Sequence, residues 1–149
     1  MSKLETKLQK TEEVAQGTMA FHFEKPAGFT FKPGQAVDVI LASGSGVSAD
    51  NDRHTFSIVS APYQDELVFA TRMRDSVYKR ALRALAVGTA VSLDGPFGTL
   101  TLHNKRARPA VFIAGGIGIT PFMSILRQAA QDQLPQDIVL LYSNHRPED

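Results

Sequence analysis

The sequence predicts a mainly β fold with an α/β end: a barrel of short strands over residues 1–105, followed by part of an α/β unit over 106–149. Three observations predict it. The first hundred residues run in two-residue periods broken by turn residues, as half-buried strands do. The polar, basic stretch His103-Asn104-Lys105-Arg106-Ala107-Arg108-Pro109 then marks a boundary. Beyond it come two continuous apolar runs separated by a glycine-rich loop and a helical face, the order of a βαβ unit.

Each element follows from its residues. Thr18 to Glu24 alternates, and Gln35 to Leu41 is an apolar strand opened by Pro33-Gly34. Thr55 to Ser60 and Glu66 to Thr71 read as strands that pair around Ala61-Pro62-Tyr63-Gln64-Asp65. The loop Ser43 to Asp52 is small and polar, a mobile excursion from the barrel. Val77, Ala81, Leu82 and Leu85 recur at helical spacing, with Ser76 at the N-cap place and Gly88 at a C′ place. Ala90 to Leu93 is a strand, and Asp94-Gly95-Pro96-Phe97-Gly98 a turn leaving the barrel. Ala110 to Ala114 and Ile138 to Tyr142 read as strands buried on both faces of a parallel sheet. Phe122, Ile125, Leu126 and Ala129 line one face of the helix between them.

Composition narrows the chemistry. A chain of 149 residues, 43% hydrophobic and 21% charged, is an ordinary globular sequence. Its net charge of +1 gives no field that selects nucleic acid or an anionic membrane. With zero cysteines it holds no disulfide, thiolate zinc site or iron–sulfur cluster of its own. No segment approaches the roughly 18 apolar residues of a membrane span, and the start has no signal-like apolar region, so the expected location is cytoplasmic. The four histidines, His22, His54, His103 and His145, share no metal-binding spacing.

Two motifs carry chemistry. Arg53-His54-Thr55-Phe56-Ser57 puts a cation, an imidazole, an aromatic face and a hydroxyl on one strand, the groups a flavin and its phosphates require. Strand neighbours point to opposite faces, so Arg53 and His54 cannot both face a flavin without a bend. Arg53 is favoured for a phosphate because its planar fork matches phosphate oxygens and stays charged. Taken alone, Phe56 reads more readily as a core aromatic. The helix starting after Ser76 offers free N–H groups and a dipole to a diphosphate, with Arg72 and Arg74 just upstream. Lys79, Arg80 and Arg83 read as a solvated helix face. The second motif, Gly115-Gly116-Ile117-Gly118-Ile119-Thr120-Pro121, lacks the third glycine of the dinucleotide fingerprint, while Thr120 can cap the helix and Pro121 suits its first turn.

With Phe31-Lys32-Pro33-Gly34-Gln35, His54 to Ser60, Gly95-Pro96-Phe97-Gly98 and Gly115 to Pro121 in this order and spacing, the chain resembles the ferredoxin–NADP reductase superfamily over nearly its whole length. The resemblance implies a six-stranded antiparallel barrel with one helix that holds FAD, and the start of a Rossmann-like domain that holds NADP or NAD. It implies flavin contacts from Arg53, His54, Phe56, Ser57, Ile58 and Val59, and from Thr71, Arg72, Met73 and Ser76. Ser57 takes the catalytic place beside the flavin N5. Gly115, Gly116, Gly118, Thr120 and Pro121 take the nicotinamide-nucleotide loop. His-x-Phe-Ser resembles the variant of the ferric-reductase and NADPH-oxidase branch. Asp75-Ser76 replaces the family's Gly-x-x-Ser, which leaves FMN open beside FAD. At the second apolar strand's end Arg146 and the lack of an acid lean towards NADP.

The implied activity is hydride transfer from NAD(P)H to FAD and electron transfer onward to an acceptor protein or small molecule. Family members continue for several more strands, with a Cys-Gly-Pro motif and often a terminal aromatic. A sheet of two strands leaves apolar surface that a second copy or a complementary chain would cover. Two alternatives follow: a flavin carrier without a competent nicotinamide site, and a folded barrel without cofactor.

Overall fold

The computed structural model describes residues 3–42 and 44–149; Met1, Ser2 and Ser43, the first residue of the predicted 43–52 loop, lie outside them. Eight strands and two helices follow in order: β1 (Leu4–Ala15), β2 (Thr18–Glu24), β3 (Ala36–Leu41), β4 (Arg53–Ser57), β5 (Glu66–Arg72), α1 (Val77–Ala84), β6 (Ala90–Phe97), β7 (Ala110–Gly115), a 3-10 turn (Gly116–Ile119), α2 (Thr120–Gln131) and β8 (Ile138–Ser143).

The first six strands form one antiparallel sheet in the order β4-β3-β6-β1-β2-β5, and β7 pairs with β8 in parallel. The mainly β fold with an α/β end is therefore the observed one. Alternation explains the core. Phe21 stands opposite Phe69 and Phe23 opposite Leu67, and these inward side chains are almost completely buried with Leu8, Val37 and Leu93. Each such side chain contributes roughly 1.5–3 kcal/mol through burial.

The edge strands β4 and β5 meet through the segment after β4, where Val59 N–H donates to the Val68 carbonyl at 2.8 Å. Towards Arg53 and Arg72 the seam is filled by α1, which buries Tyr78 and Leu82. Tyr78 Oη donates to the Val39 carbonyl at 2.9 Å and so fixes the helix to β3.

Several local expectations change. β4 and β5 are not a regular hairpin; β4 pairs with β3 and β5 with β2, because the 58–65 segment turns the chain from one end of the sheet to the other. Gly88 does not follow the helix directly. The helix is capped at Leu85, and Gly88 at φ +89 sits in the following turn, where its N–H donates to the Leu8 carbonyl. Asp94 to Phe97 continue β6, since Asp38 and Ala36 of β3 pair with Asp94 and Phe97 across a bulge. β1 has no counterpart among the predicted strands: it buries only Thr6 and Leu8, so its apolar alternation is faint.

The α/β end docks through α2. Ser124 Oγ donates to the Ser60 carbonyl at 2.7 Å, and Tyr63 N–H donates to Gln128 Oε1 at 3.2 Å. Where the chain returns past the barrel, a Cβ on Gly34 would stand 1.9 Å from the Leu100 carbonyl oxygen, so only glycine fits. β7 and β8 are not covered on both faces. Val111, Ile113, Val139 and Leu141 are exposed because α2 covers one side of the pair.

Candidate functional site

The turn from β5 into α1 gathers positive charge. Ser76, extended at φ −144, caps the helix by accepting from Lys79 N–H at 3.2 Å. Lys79 Nζ reaches back to the Arg72 carbonyl at 2.6 Å, which holds its ammonium over the turn. Partial burial, then the Arg74 charge, pulls Lys79 below the ordinary lysine range. Among the described residues, Arg72, Arg74 and Lys79 have no carboxylate within ion-pair distance, whereas Asp75 is taken by Arg80. Cations without a carboxylate partner beside a helix start favour an anion. Lys79 is therefore folded over the turn and partly buried, unlike the solvated helix face expected for it. The signal was its position three residues after the cap, where its side chain can fold back over the first turn.

β4 distributes its residues by alternation. Arg53, Thr55 and Ser57 lie on the outer face; Arg53 pairs with Asp38 at 3.1 Å and Asp94 at 3.2 Å, and Thr55 donates to Asp38. These two carboxylates engage the guanidinium on the face of β4 turned away from the α1 turn. His54 takes the α1 side instead, its ring 5.3 Å from that of Tyr78. Partial burial, then Lys79, lowers the His54 pKa, and Asp38 opposes them.

Phe56 stands opposite Val37 and faces the barrel interior at 5% exposure, its ring 6.0 Å from Phe69 and 6.1 Å from Tyr78. The expected flavin platform is thus a core ring here, since the same alternation that turns Ser57 outward turns Phe56 inward. Ile58, Val59 and Thr71 are likewise buried side chains, and the N–H groups of Ile58 and Val59 are spent on Gln35 and Val68. Met73 packs partly against the core. Ser57 is half-buried, and no hydrogen bond engages its hydroxyl among the described residues.

The glycine loop lies where β7 and β8 end. Gly115 closes β7, Gly116 is left-handed at φ +50, and the 3-10 turn delivers the chain into α2. Thr120 does not cap α2; Ile119 holds that place with no side-chain cap, and the Thr120 hydroxyl donates to the Ile117 carbonyl at 3.1 Å. Pro121 sits in the first turn as expected. A Cβ on Gly118 would meet nothing within 4 Å, so packing alone does not require glycine there and the backbone is open to a ligand.

Arg72 joins the two regions. Its guanidinium stands 3.5 Å from where a Cβ on Gly116 would be. It walls a cleft of about 690 Å³ between the outer face of β1, β2 and β5 and the glycine loop, with Gly116, Ile117, Thr120 and Arg146 also lining it. Arg72 and Gly116 also line a smaller hollow with Ser143 and His145 at the strand ends, the customary ligand side of a parallel sheet. The larger cleft is not lined by His54, Ser57 or Ser76. Among the described residues no helix is long and apolar enough to cross a membrane, and no group of three or more His, Cys, Asp or Glu is placed to hold a metal.

A barrel closed by a helix with a basic N-terminal turn, joined to a βαβ unit with an open glycine loop, defines a two-part nucleotide-binding class. The family model described as an oxidoreductase NAD-binding domain matches residues 112–149. Over 134 residues the chain is 34% identical to dual oxidase 2 of Sus scrofa, a match covering 84% of this chain and 8% of that protein. It superposes with a TM-score of 0.80 and 26% identity on a ferredoxin NADP+ reductase from Neisseria gonorrhoeae with bound FAD and NADP, covering 98% of this chain and 59% of the other. With phthalate dioxygenase reductase the TM-score is 0.81 and the identity 25%, covering 98% and 45%. The chain belongs to the ferredoxin–NADP reductase superfamily. It spans about a twelfth of the dual oxidase and about half of the two solved reductases.

Flavin and nicotinamide nucleotides are the cofactors of this family. The residues fit their phosphates: at α1 a helix start and three cations with no carboxylate partner among the described residues, and at β7 an open left-handed loop. For the flavin ring the fit is narrower. It rests on the free hydroxyl of Ser57, because the Phe56 face is buried.

Proposed function

We propose that this chain is the FAD-binding and nicotinamide-nucleotide-binding part of an NAD(P)H-dependent oxidoreductase. One observation carries the reading. A single guanidinium, that of Arg72, stands between the basic turn before α1 and the left-handed Gly116 at the end of β7. Two phosphate-binding elements linked in this way bring two nucleotides side by side.

In this reading Lys79, Arg74 and the N–H groups that open α1 hold the FAD diphosphate, with His54 on the same side. Ser57 offers its hydroxyl to the ring near N5. Gly115, Gly116 and Gly118 let a second diphosphate approach the backbone, Thr120 and Pro121 shape the helix start, and Arg146 favours the additional phosphate of NADP. Bound flavin supplies the chemistry of accepting hydride from the nicotinamide and passing electrons onward. The protein supplies orientation and charge.

The acceptor is a protein centre or small molecule beyond these residues. Phthalate dioxygenase reductase is described as carrying electrons from pyridine nucleotides to a 2Fe–2S centre, and with no cysteine this chain would need such a centre from elsewhere. The exposed Val111, Ile113, Val139 and Leu141 favour a second reading. In it, FAD binds here, but hydride transfer requires a second copy or a complementary segment over that face.

Reconstitution with FAD followed by anaerobic addition of NADPH, then NADH, tests both. Flavin absorbance bleaches on addition under the first reading. Under the second it bleaches only after the complementary segment is supplied or the chain self-associates. Flavin that stays oxidised under all these conditions overturns hydride transfer.

A further inference from the structure

His54 is the titratable side chain of β4 turned towards α1. Phe56 and Tyr78 cover one flank of its ring, with centroids at 4.7 and 5.3 Å, while the remainder is exposed. Among the described residues the hydrogen-bonded histidines are His22 and His103, which leaves both ring nitrogens of His54 to solvent or a ligand.

The charges around it are few. From α1, Lys79 faces it; the Asp38 carboxylate of β3 acts from the other face of β4, where it accepts from Arg53 and Thr55. Arg53 lies on the opposite face of β4. Tyr78 remains a neutral phenol because burial, followed by the charges of Asp38 and Asp52, pushes its pKa up. Without a ligand, partial burial and then Lys79 disfavour the protonated ring.

We infer that His54 takes up a proton when the FAD diphosphate binds at the α1 turn, so that cofactor affinity depends on pH. This rests on the flavin reading above. A diphosphate beside Lys79 and Arg74 reverses the sign of the local field, and the imidazolium it favours can donate through either free nitrogen. A histidine at this position then makes the site's charge adjustable.

The sign follows from linkage. The free protein holds His54 below the ordinary imidazole value, and the complex raises it. The complex therefore carries more protons, and affinity rises as pH falls through the interval between those two values. Above the bound value affinity is flat. The diphosphate diester and ring nitrogens of FAD titrate outside pH 6–8, so proton uptake in that range belongs to the protein.

Calorimetric titration of the protein with FAD at pH 6, 7 and 8, in buffers of differing ionisation enthalpy, tests the inference. Binding about three- to tenfold tighter at pH 6 than at pH 8 is expected, with fractional proton uptake that disappears in His54→Gln. Should His54→Gln fold poorly, wild-type proton uptake together with an NMR titration of His54 with and without FAD decides alone. FAD binding that is independent of pH, or a slope unchanged in His54→Gln, overturns this inference and leaves the flavin reading standing. No FAD binding at any pH overturns both.

Discussion

The guanidinium of Arg72 rests beside Gly116, 3.5 Å from the place a Cβ would take, and thereby links strand β5 of the barrel to the loop that opens α2. Gly116 is also left-handed, at φ +50. A methyl group there would sit in ordinary contact with the guanidinium, so the cost is that of the backbone, where L residues lose roughly 1–2 kcal/mol. Gly116→Ala should lower unfolding stability by about 1 kcal/mol and weaken NADPH binding severalfold while FAD affinity is kept. Denaturant unfolding and parallel nucleotide titrations check it.

The cations before α1 should act as a charge cluster. Losing a charge-assisted hydrogen bond costs about 1.5–3 kcal/mol, so Lys79→Met should weaken FAD binding about tenfold or more. Arg83→Met, on the exposed last turn of α1, should leave it unchanged. FAD affinity of the wild type should fall with added salt and that dependence should be shallower in Lys79→Met. Equal effects from both substitutions would remove the site from the α1 start.

Phe56 separates core from cofactor. Because its ring packs on Phe69 and Tyr78 inside the barrel, Phe56→Ala should cost about 3–5 kcal/mol of stability. Phe56→Leu should cost about 1 kcal/mol and change FAD affinity little. A large loss of FAD affinity in Phe56→Leu at unchanged stability would put the ring on the flavin.

His22 ties three strands. Its Nδ1 meets Glu66 at 2.8 Å and its Nε2 meets Glu12 at 2.9 Å, joining β2 to β5 and β1. His22→Ala should destabilise the barrel by about 1–3 kcal/mol and leave FAD affinity intact, as read by urea unfolding and titration. Lys10 first, and then His22, hold the Glu12 carboxyl below its ordinary value. A depressed carboxylate stabilises fully above its unfolded-state value, and that contribution is lost as pH falls through the lower folded-state value.

The parts legible in the sequence were those that local physics dictates. Alternation in Thr18–Glu24 placed β2, apolar runs placed β7 and β8, and Ser76 marked the α1 start because a cap needs a short polar side chain before the first turn. Tertiary context decided the remainder. β1 escaped because ten of its twelve residues are at least partly solvated. Lys79 reads as surface in the sequence because its fold-back onto the Arg72 carbonyl depends on the path of the chain from β5 into α1. The engagement of Arg53 depends on Asp38 and Asp94, which face each other across β3 and β6, a pairing no local pattern announces.

The most direct test of the central claim is a titration of the protein with FAD, followed by absorbance and flavin fluorescence. The account predicts saturable one-to-one binding that Lys79→Met and Arg74→Gln weaken and that Arg53→Gln spares once its stability loss is allowed for. A protein that folds as described and takes up no FAD, or one whose binding is lost in Arg53→Gln but indifferent to Lys79 and Arg74, would contradict it.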